Sequence, residues 1–169
     1  MSDTIHLNGQ EGVKKLKELV EEINTALFCT DLKTNDGSTC RPMQAQEVDK
    51  EGNVWFFSER NSEKNKQIED DNDVQLFFSH PDKSCYLIVN GQAEIIIDRT
   101  KTEELWNPLV KTWFKEGKDD PTLSLIKVTP KSAYYWDTQG NKMINFMKML
   151  ASVATGKTLL NATEGSIEV

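Results

Sequence analysis

Arg41-Pro42-Met43-Gln44-Ala45, and after a turn Val54-Trp55-Phe56-Phe57-Ser58-Glu59-Arg60-Asn61-Ser62-Glu63-Lys64-Asn65-Lys66, is the stretch that decides how this chain folds. In a strand running from Thr39 to Asp49, Arg41, Met43 and Ala45 point to one face and Cys40, Pro42 and Gln44 to the other. Pro42 has no amide to donate, so the strand is an edge there or is locally irregular. Backbone freed from ladder pairing can offer its polar groups to a planar ligand; the other reading is an edge strand with a solvated arginine. Lys50-Glu51-Gly52-Asn53 closes this strand. Val54 to Glu59 is the next, and its consecutive Trp55, Phe56 and Phe57 predict cover on both faces.

A short helix, Asn61 to Asp71, follows with Ser62 as its N-cap. Lys64 and Lys66 then fall in the first turn, where the positive end of the helix dipole disfavours cations. An anion at that end would reverse the sign. Exposed amides, the Ser62 hydroxyl and the Lys64 ammonium would together hold a phosphate. The competing reading is a solvated turn in which Glu63 offsets the lysines.

Outward from this stretch the periodicity alternates between strand and helix. Val13, Leu16, Leu19, Val20 and Ile23 recur at helical steps near the N-terminus, with Asn8 and Glu11 as a loose capping box. Ala26 to Lys33 reads as a strand, with Asn35-Asp36-Gly37 as hairpin chemistry. Val74 to Ser79 is a strand, and so is Ser84 to Asp98, bent or bulged at Asn90-Gly91. Arg99 to Lys115 reads as one helix with Leu105, Trp106, Leu109, Val110 and Trp113 on its apolar side. Leu123 to Asp137 is a strand interrupted at Pro130, and Asn141 to Thr155 a last amphipathic helix. The tail from Gly156 lacks a pattern and is expected to be mobile. Consecutive strands joined by short turns predict a mainly β (α+β) domain over residues 1–155, a six-stranded antiparallel split barrel with flanking helices.

The 169 residues suit one domain, and the formal charge of -7 without a basic stripe argues against nucleic acid as a partner. No apolar run approaches the ~20 residues of a membrane span, and no secretory signal is visible, so a cytoplasmic setting is expected. Cys29, Cys40 and Cys85 are odd in number and lack a C-x-x-C pair; they read as small strand residues in a reducing compartment, without a disulfide or zinc site. Gly156-Lys157-Thr158 imitates the end of a phosphate-binding loop, but Ala151 stands where the first glycine must be. Trp106, Trp113, Phe114, Tyr134, Tyr135 and Trp136 crowd the last third, as core, interface or cofactor walls.

Taken in order, Arg41-Pro42-Met43, Asp49 to Gly52, Trp55-Phe56-Phe57-Ser58, Ser62-Glu63-Lys64, Gly91, Asp98-Arg99, Leu105-Trp106-Asn107-Pro108, Trp113-Phe114, Gly117, Asp119-Asp120-Pro121 and Tyr135-Trp136-Asp137 carry a resemblance. The chain resembles the general stress protein 26-like branch of the pyridoxamine-phosphate-oxidase-like, flavin-binding split-barrel superfamily. That resemblance implies a homodimer with flavin mononucleotide (FMN), or its dinucleotide FAD, in two clefts between subunits. It implies Arg41 and Lys64 on the flavin phosphate with Ser62 and Ser58 assisting. It also implies Pro42, Met43 and Phe57 bordering the ring, and Trp106, Trp113 and Trp136 as aromatics contributed by the second subunit. Family members usually have Thr where this chain has Ser58.

The founding oxidases end in an arginine-bearing segment that holds the substrate phosphate; here no arginine follows Arg99, so oxidation of pyridoxamine phosphate is not expected. The expected function is a flavin-binding redox protein, either an oxidoreductase of a small molecule or a non-catalytic flavin store in stress responses. No residue is assigned as catalytic, and no metal is expected.

Overall fold

Six antiparallel strands close into a barrel in a computed structural model that describes residues 4–33, 39–138 and 162–168. They are β2 (Thr25–Thr30), β3 (Thr39–Val48), β4 (Val54–Glu59), β5 (Asp73–His80), β6 (Cys85–Ile96) and β7 (Leu123–Thr138). The order around the ring is β7-β4-β3-β2-β5-β6, and β6 pairs with β7 to close it. Two strands extend the sheet: β8 (Ala162–Glu168) runs antiparallel to β7, and β1 (Thr4–Asn8) runs parallel to β8. The helices are α1 (Gly9–Ile23), α2 (Glu63–Asp70) and α3 (Arg99–Leu105).

The core follows from the two periodicities. Val13, Leu16, Leu19, Val20 and Ile23 are all buried on the side of α1 that packs against β3 and β8. Strand β6 alternates buried and outward residues along most of its length, as a barrel wall must. Phe28 of β2 and Phe56 of β4 are fully buried and meet edge to face at 5.2 Å, an arrangement favoured by the ring quadrupoles. Outside the barrel, Lys15 of α1 reaches Asp137 of β7 at 2.8 Å and ties the helix to the wall.

Strands β3 and β4 part company midway, and this is what positions the site. Their pairing covers Ala45 with Phe56, Glu47 with Trp55 and Val48 with Val54, with a bulge at Gln46. Below it a tight turn is held by Asp49, whose carboxylate accepts from Asn53 N at 2.8 Å and Trp55 Nε1 at 2.8 Å, while Gly52 takes a φ of 88°. Beyond the bulge Thr39–Gln44 pair with β2, whereas Phe57–Glu59 pair with β7. The barrel is therefore split between these two segments.

Several expectations are corrected. The helix read over Arg99 to Lys115 ends at Leu105: Trp106 is extended at ψ 131°, and Pro108 disfavours helical geometry at Asn107. A short 3-10 turn at Val110–Thr112 lies in the remainder, and a second, Gly117–Asp119, follows it. Strand β7 is not interrupted at Pro130. It stays paired with β6 and absorbs one extra residue, Lys131, between Pro130 opposite Gly91 and Ser132 opposite Asn90. Gly91 is required there, because a Cβ would lie 2.6 Å from the Thr129 carbonyl oxygen. The bulge expected at Asn90-Gly91 is thus real, with its extra residue on the partner strand. The tail from Gly156 is not patternless throughout, since residues 162–168 form β8 with Ile167 buried. The hairpin at Asn35-Asp36-Gly37 and the helix at Asn141 to Thr155 lie outside the described residues.

Cys29 and Cys40 correct the cysteine reading, because they form a disulfide. The antiparallel register of β2 and β3 places them directly opposite each other with Cα atoms 4.1 Å apart. Spacing in the sequence conceals this, since the pairing is set by a hairpin. Cys85 is free and buried. No helix among the described residues is long and apolar enough to cross a membrane.

Candidate functional site

The split between β3 and β4 opens a cleft of ≈ 550 Å³. Arg41, Pro42, Met43 and Gln44 line it from β3, Phe57, Ser58 and Glu59 from β4, and Lys64 from α2. The segment after α3 supplies the remaining wall with Leu109, Val110, Trp113 and Phe114. Phe57 packs on Phe114 at 6.3 Å and on Trp106 at 5.9 Å, so an aromatic floor continues beneath the wall. Trp113 is 82% exposed and Leu109 64% exposed at its rim. Large apolar side chains left in water beside a cleft are a signature of a ligand or partner surface.

The cationic end is built by α2. Ser62 caps this helix, its Oγ accepting from Asn65 N at 3.3 Å, and Lys64 Nζ reaches the same oxygen at 3.5 Å. Burial, aided by the neighbouring Arg41 charge and partly opposed by Glu59, pushes the Lys64 ammonium down from 10.5 to about 8. The causes here are burial and the Arg41 charge, in place of the helix dipole on which the sequence-based expectation rested. Arg41 donates from Nη1 to Thr30 Oγ1 at 2.6 Å and from Nη2 to Gln67 Oε1 at 3.0 Å. Burial lowers its affinity for its proton, though guanidinium remains charged. Among the described residues neither cation has a carboxylate within ion-pair distance, whereas Arg99 is bound to Glu103 and Asp119.

Ser58 lies at the cleft, but its hydroxyl donates inward to Asn65 Oδ1 at 2.6 Å. Asn65 Nδ2 donates to Ser124 Oγ at 3.0 Å, and Ser124 Oγ donates back to the Ser58 carbonyl at 3.1 Å. This buried loop of bonds locks β4, α2 and β7 together.

Of the sequence-predicted residues, Arg41, Pro42, Met43, Phe57, Ser58, Lys64 and Trp113 share the cleft, and Ser62 caps the helix beside it. Trp106 stands behind Phe57 and does not line the cleft. Trp136 lies elsewhere, meeting Tyr134 edge to face at 4.6 Å beside a second apolar depression with Phe77, Tyr86 and Ile88. Thr30, Asn65 and Gln67 were missed. The only sequence signal for Gln67 is its three-residue step from Lys64, which puts both on one helix face.

A split barrel with a cationic, aromatic-walled cleft at the split defines the class. The chain belongs to the family described as pyridoxamine 5'-phosphate oxidase like, which it matches over residues 11–160. It is 25% identical over 112 residues to protein bli-3 of Neurospora crassa, covering 62% of this chain and 54% of that protein, about half its length. Its fold is similar to that of a protein assigned as general stress protein 26 from Jannaschia sp. CCS1, with a TM-score of 0.78, 20% identity and 92% and 97% of the two chains covered. It is also similar to the general stress FMN/FAD binding protein of Xanthomonas citri, with a TM-score of 0.65, 24% identity and coverage of 77% and 90%.

Proposed function

We propose that the cleft binds FMN, with Arg41 and Lys64 taking the phosphate beside the Ser62-capped start of α2 and Pro42, Met43 and Phe57 bordering the ring. The observation that carries this reading is a pair of cations sharing one cleft, neither within ion-pair distance of a carboxylate among the described residues although Glu59 lies nearby, next to an apolar aromatic wall. FMN has that same division into a flat apolar ring and a phosphate dianion. The cleft volume, ≈ 550 Å³, lies within the usual range for small-molecule sites. FMN is the preferred form of the proposal, because its two negative charges sit on one terminal phosphate where both cations can meet them, whereas those of FAD are spread over a pyrophosphate bridge. The flavin described for the Xanthomonas citri protein supports the ligand class.

Bound flavin supplies electron chemistry, while the chain's own residues orient the phosphate and exclude water from the ring face. The titratable groups lining the cleft are Arg41, Lys64 and Glu59, and none is assigned as an acid or base in turnover. An oxidoreductase of a small molecule and a non-catalytic flavin store share this site; oxidation of a reduced nicotinamide by the loaded protein distinguishes them.

The working form is proposed to be a homodimer. Leu27, Phe77, Ile88 and Tyr134 are cross-strand neighbours on the outer face of β2, β5, β6 and β7, with Tyr86 and Trp136 beside them. Leu27 is 51% exposed in the single chain. A second copy covering this stripe would remove it from water. The proposal retains a cytoplasmic setting and a small-molecule partner in place of nucleic acid, in keeping with the -7 charge. Titration of the protein with FMN and with riboflavin tests the central reading. FMN is expected to bind at least about tenfold more tightly through its charge-assisted contacts; equal affinity rejects the phosphate site.

A further inference from the structure

Arg41 is held by two neutral groups. Thr30 is wholly buried at the end of β2, and its Oγ1 accepts from Arg41 Nη1 at 2.6 Å. The Thr30 hydroxyl in turn donates to Gln67 Oε1 at 2.6 Å, and Arg41 Nη2 donates to the same oxygen at 3.0 Å. Two donors converging on one atom identify it as the amide oxygen. The guanidinium is fixed in a plane by this triangle, yet its charge is met by dipoles alone.

The origin of the triangle matters. Gln67 and Lys64 are three residues apart on α2 and so rise from the same face. One helix thus presents the second cation of the cleft and also the acceptor that fixes the first. A carboxylate at the Gln67 position would hold Arg41 more strongly, since fork-to-fork pairing with guanidinium is tighter than a single amide contact. It would also cancel the charge that an incoming anion needs. Neutrality at this position is therefore a functional requirement that packing alone does not impose.

We propose that Gln67 is a positioning residue that sets anion affinity, with Thr30 as its support: it aligns Arg41 toward the cleft while leaving the arginine's charge unspent. This rests on the phosphate-binding reading above. The substitution Gln67→Glu separates the role from a structural one. A structural acceptor is served as well by a carboxylate, so the fold and thermal midpoint persist, whereas the proposed role predicts a large loss of FMN affinity.

The experiment is fluorescence titration of FMN and riboflavin against wild type, Gln67→Glu, Gln67→Ala, Arg41→Ala and the double variant Arg41→Ala with Gln67→Ala. Gln67→Glu is expected to weaken FMN about tenfold or more, as loss of a charge-assisted contact does, with riboflavin unchanged. Gln67→Ala is expected to weaken FMN less in the wild-type background and not at all in the Arg41→Ala background, because coupled residues are non-additive. If wild type prefers FMN but Gln67→Glu binds it equally well, or the two alanine effects simply add, this inference falls and the phosphate site stands. If wild type itself fails to prefer FMN over riboflavin, both fall together.

Discussion

The Ser58 hydroxyl donates to Asn65 Oδ1 at 2.6 Å, and through that bond the strand that walls the cleft is fixed to the helix that carries Lys64. Asn65 is 1% exposed and also donates to Ser124 Oγ and to the Arg60 carbonyl. Asn65→Ala would take the acceptor from the buried Ser58 hydroxyl and a donor from Ser124, whose own bond to the Ser58 carbonyl remains. The expected cost is about 1–3 kcal/mol for unsatisfied buried polar groups, which lowers the thermal midpoint by about 2–4 °C per kcal/mol in a chain of this size. An unchanged midpoint in scanning calorimetry would remove this network from the account of the site.

Arg41→Ala and Lys64→Ala should each weaken FMN by about ten- to a hundredfold, corresponding to about 1.5–3 kcal/mol for a charged contact. Riboflavin lacks the phosphate and should respond to neither. Equal losses for both ligands would mean that the substitutions disturb the cleft generally.

The pH dependence has a definite sign. Free Lys64 titrates near about 8, and a bound phosphate dianion favours its charged form, so binding takes up a proton above that pH. FMN affinity should therefore fall as pH rises through about 8. The unfolded lysine, at its ordinary 10.5, holds its proton more firmly than the folded one. Between about 8 and 10.5 the unfolded state binds more protons, so this group alone makes ligand-free stability rise with pH across that window. Lys64→Ala should flatten the affinity profile; a profile that keeps its slope in the variant would assign it to another group.

Leu27→Glu places a charge in the apolar stripe at a position already half open to water. It should leave the monomer folded and shift a dimer to monomer at micromolar concentration in sedimentation. A variant that sediments as wild type would move the interface elsewhere.

Peptide mapping without reductant should recover Cys29 linked to Cys40 and leave Cys85 as a thiol. Burial pushes Cys85 up to about 11, with the Asp137 and Glu22 charges adding to it, so native protein should resist alkylation at neutral pH. Rapid native labelling of Cys85 would contradict its burial.

The contrast between what could and could not be read from the residues has physical causes. Helix α1 and strand β4 were legible because their periods are local: five apolar residues at helical steps, and a run of aromatics covered on both faces. Strand β8 was not, because only Ile167 among its described side chains is buried, and its partners β1 and β7 are distant in sequence. Leu105 to Trp113 kept a helical apolar spacing through Pro108, and the proline prevailed. At the site, Arg41, Ser62 and Lys64 stood out as charges and caps. Gln67 carries no such mark, since its role arises only when β2, β3 and α2 converge.

The parting of β3 from β4 has a further consequence for how the empty protein survives. Cys29 and Cys40, with Cα atoms 4.1 Å apart, form a narrow pair of the β2–β3 ladder, one without direct hydrogen bonds, and Leu27 opposite Pro42 is the next of the same kind. The polar backbone of Pro42 and Gln44 consequently faces the gap. A strand edge left open in this way is a template for docking a foreign strand, the usual start of edge-to-edge aggregation. Pro42 deletes one donor from the middle of that edge, so an intruding strand meets a broken row where a ligand needing few backbone contacts does not. The same imino acid that borders the proposed flavin thus acts as a sentinel for the vacant cleft, and a Pro42→Val chain should precipitate on storage without flavin and be protected when flavin is supplied.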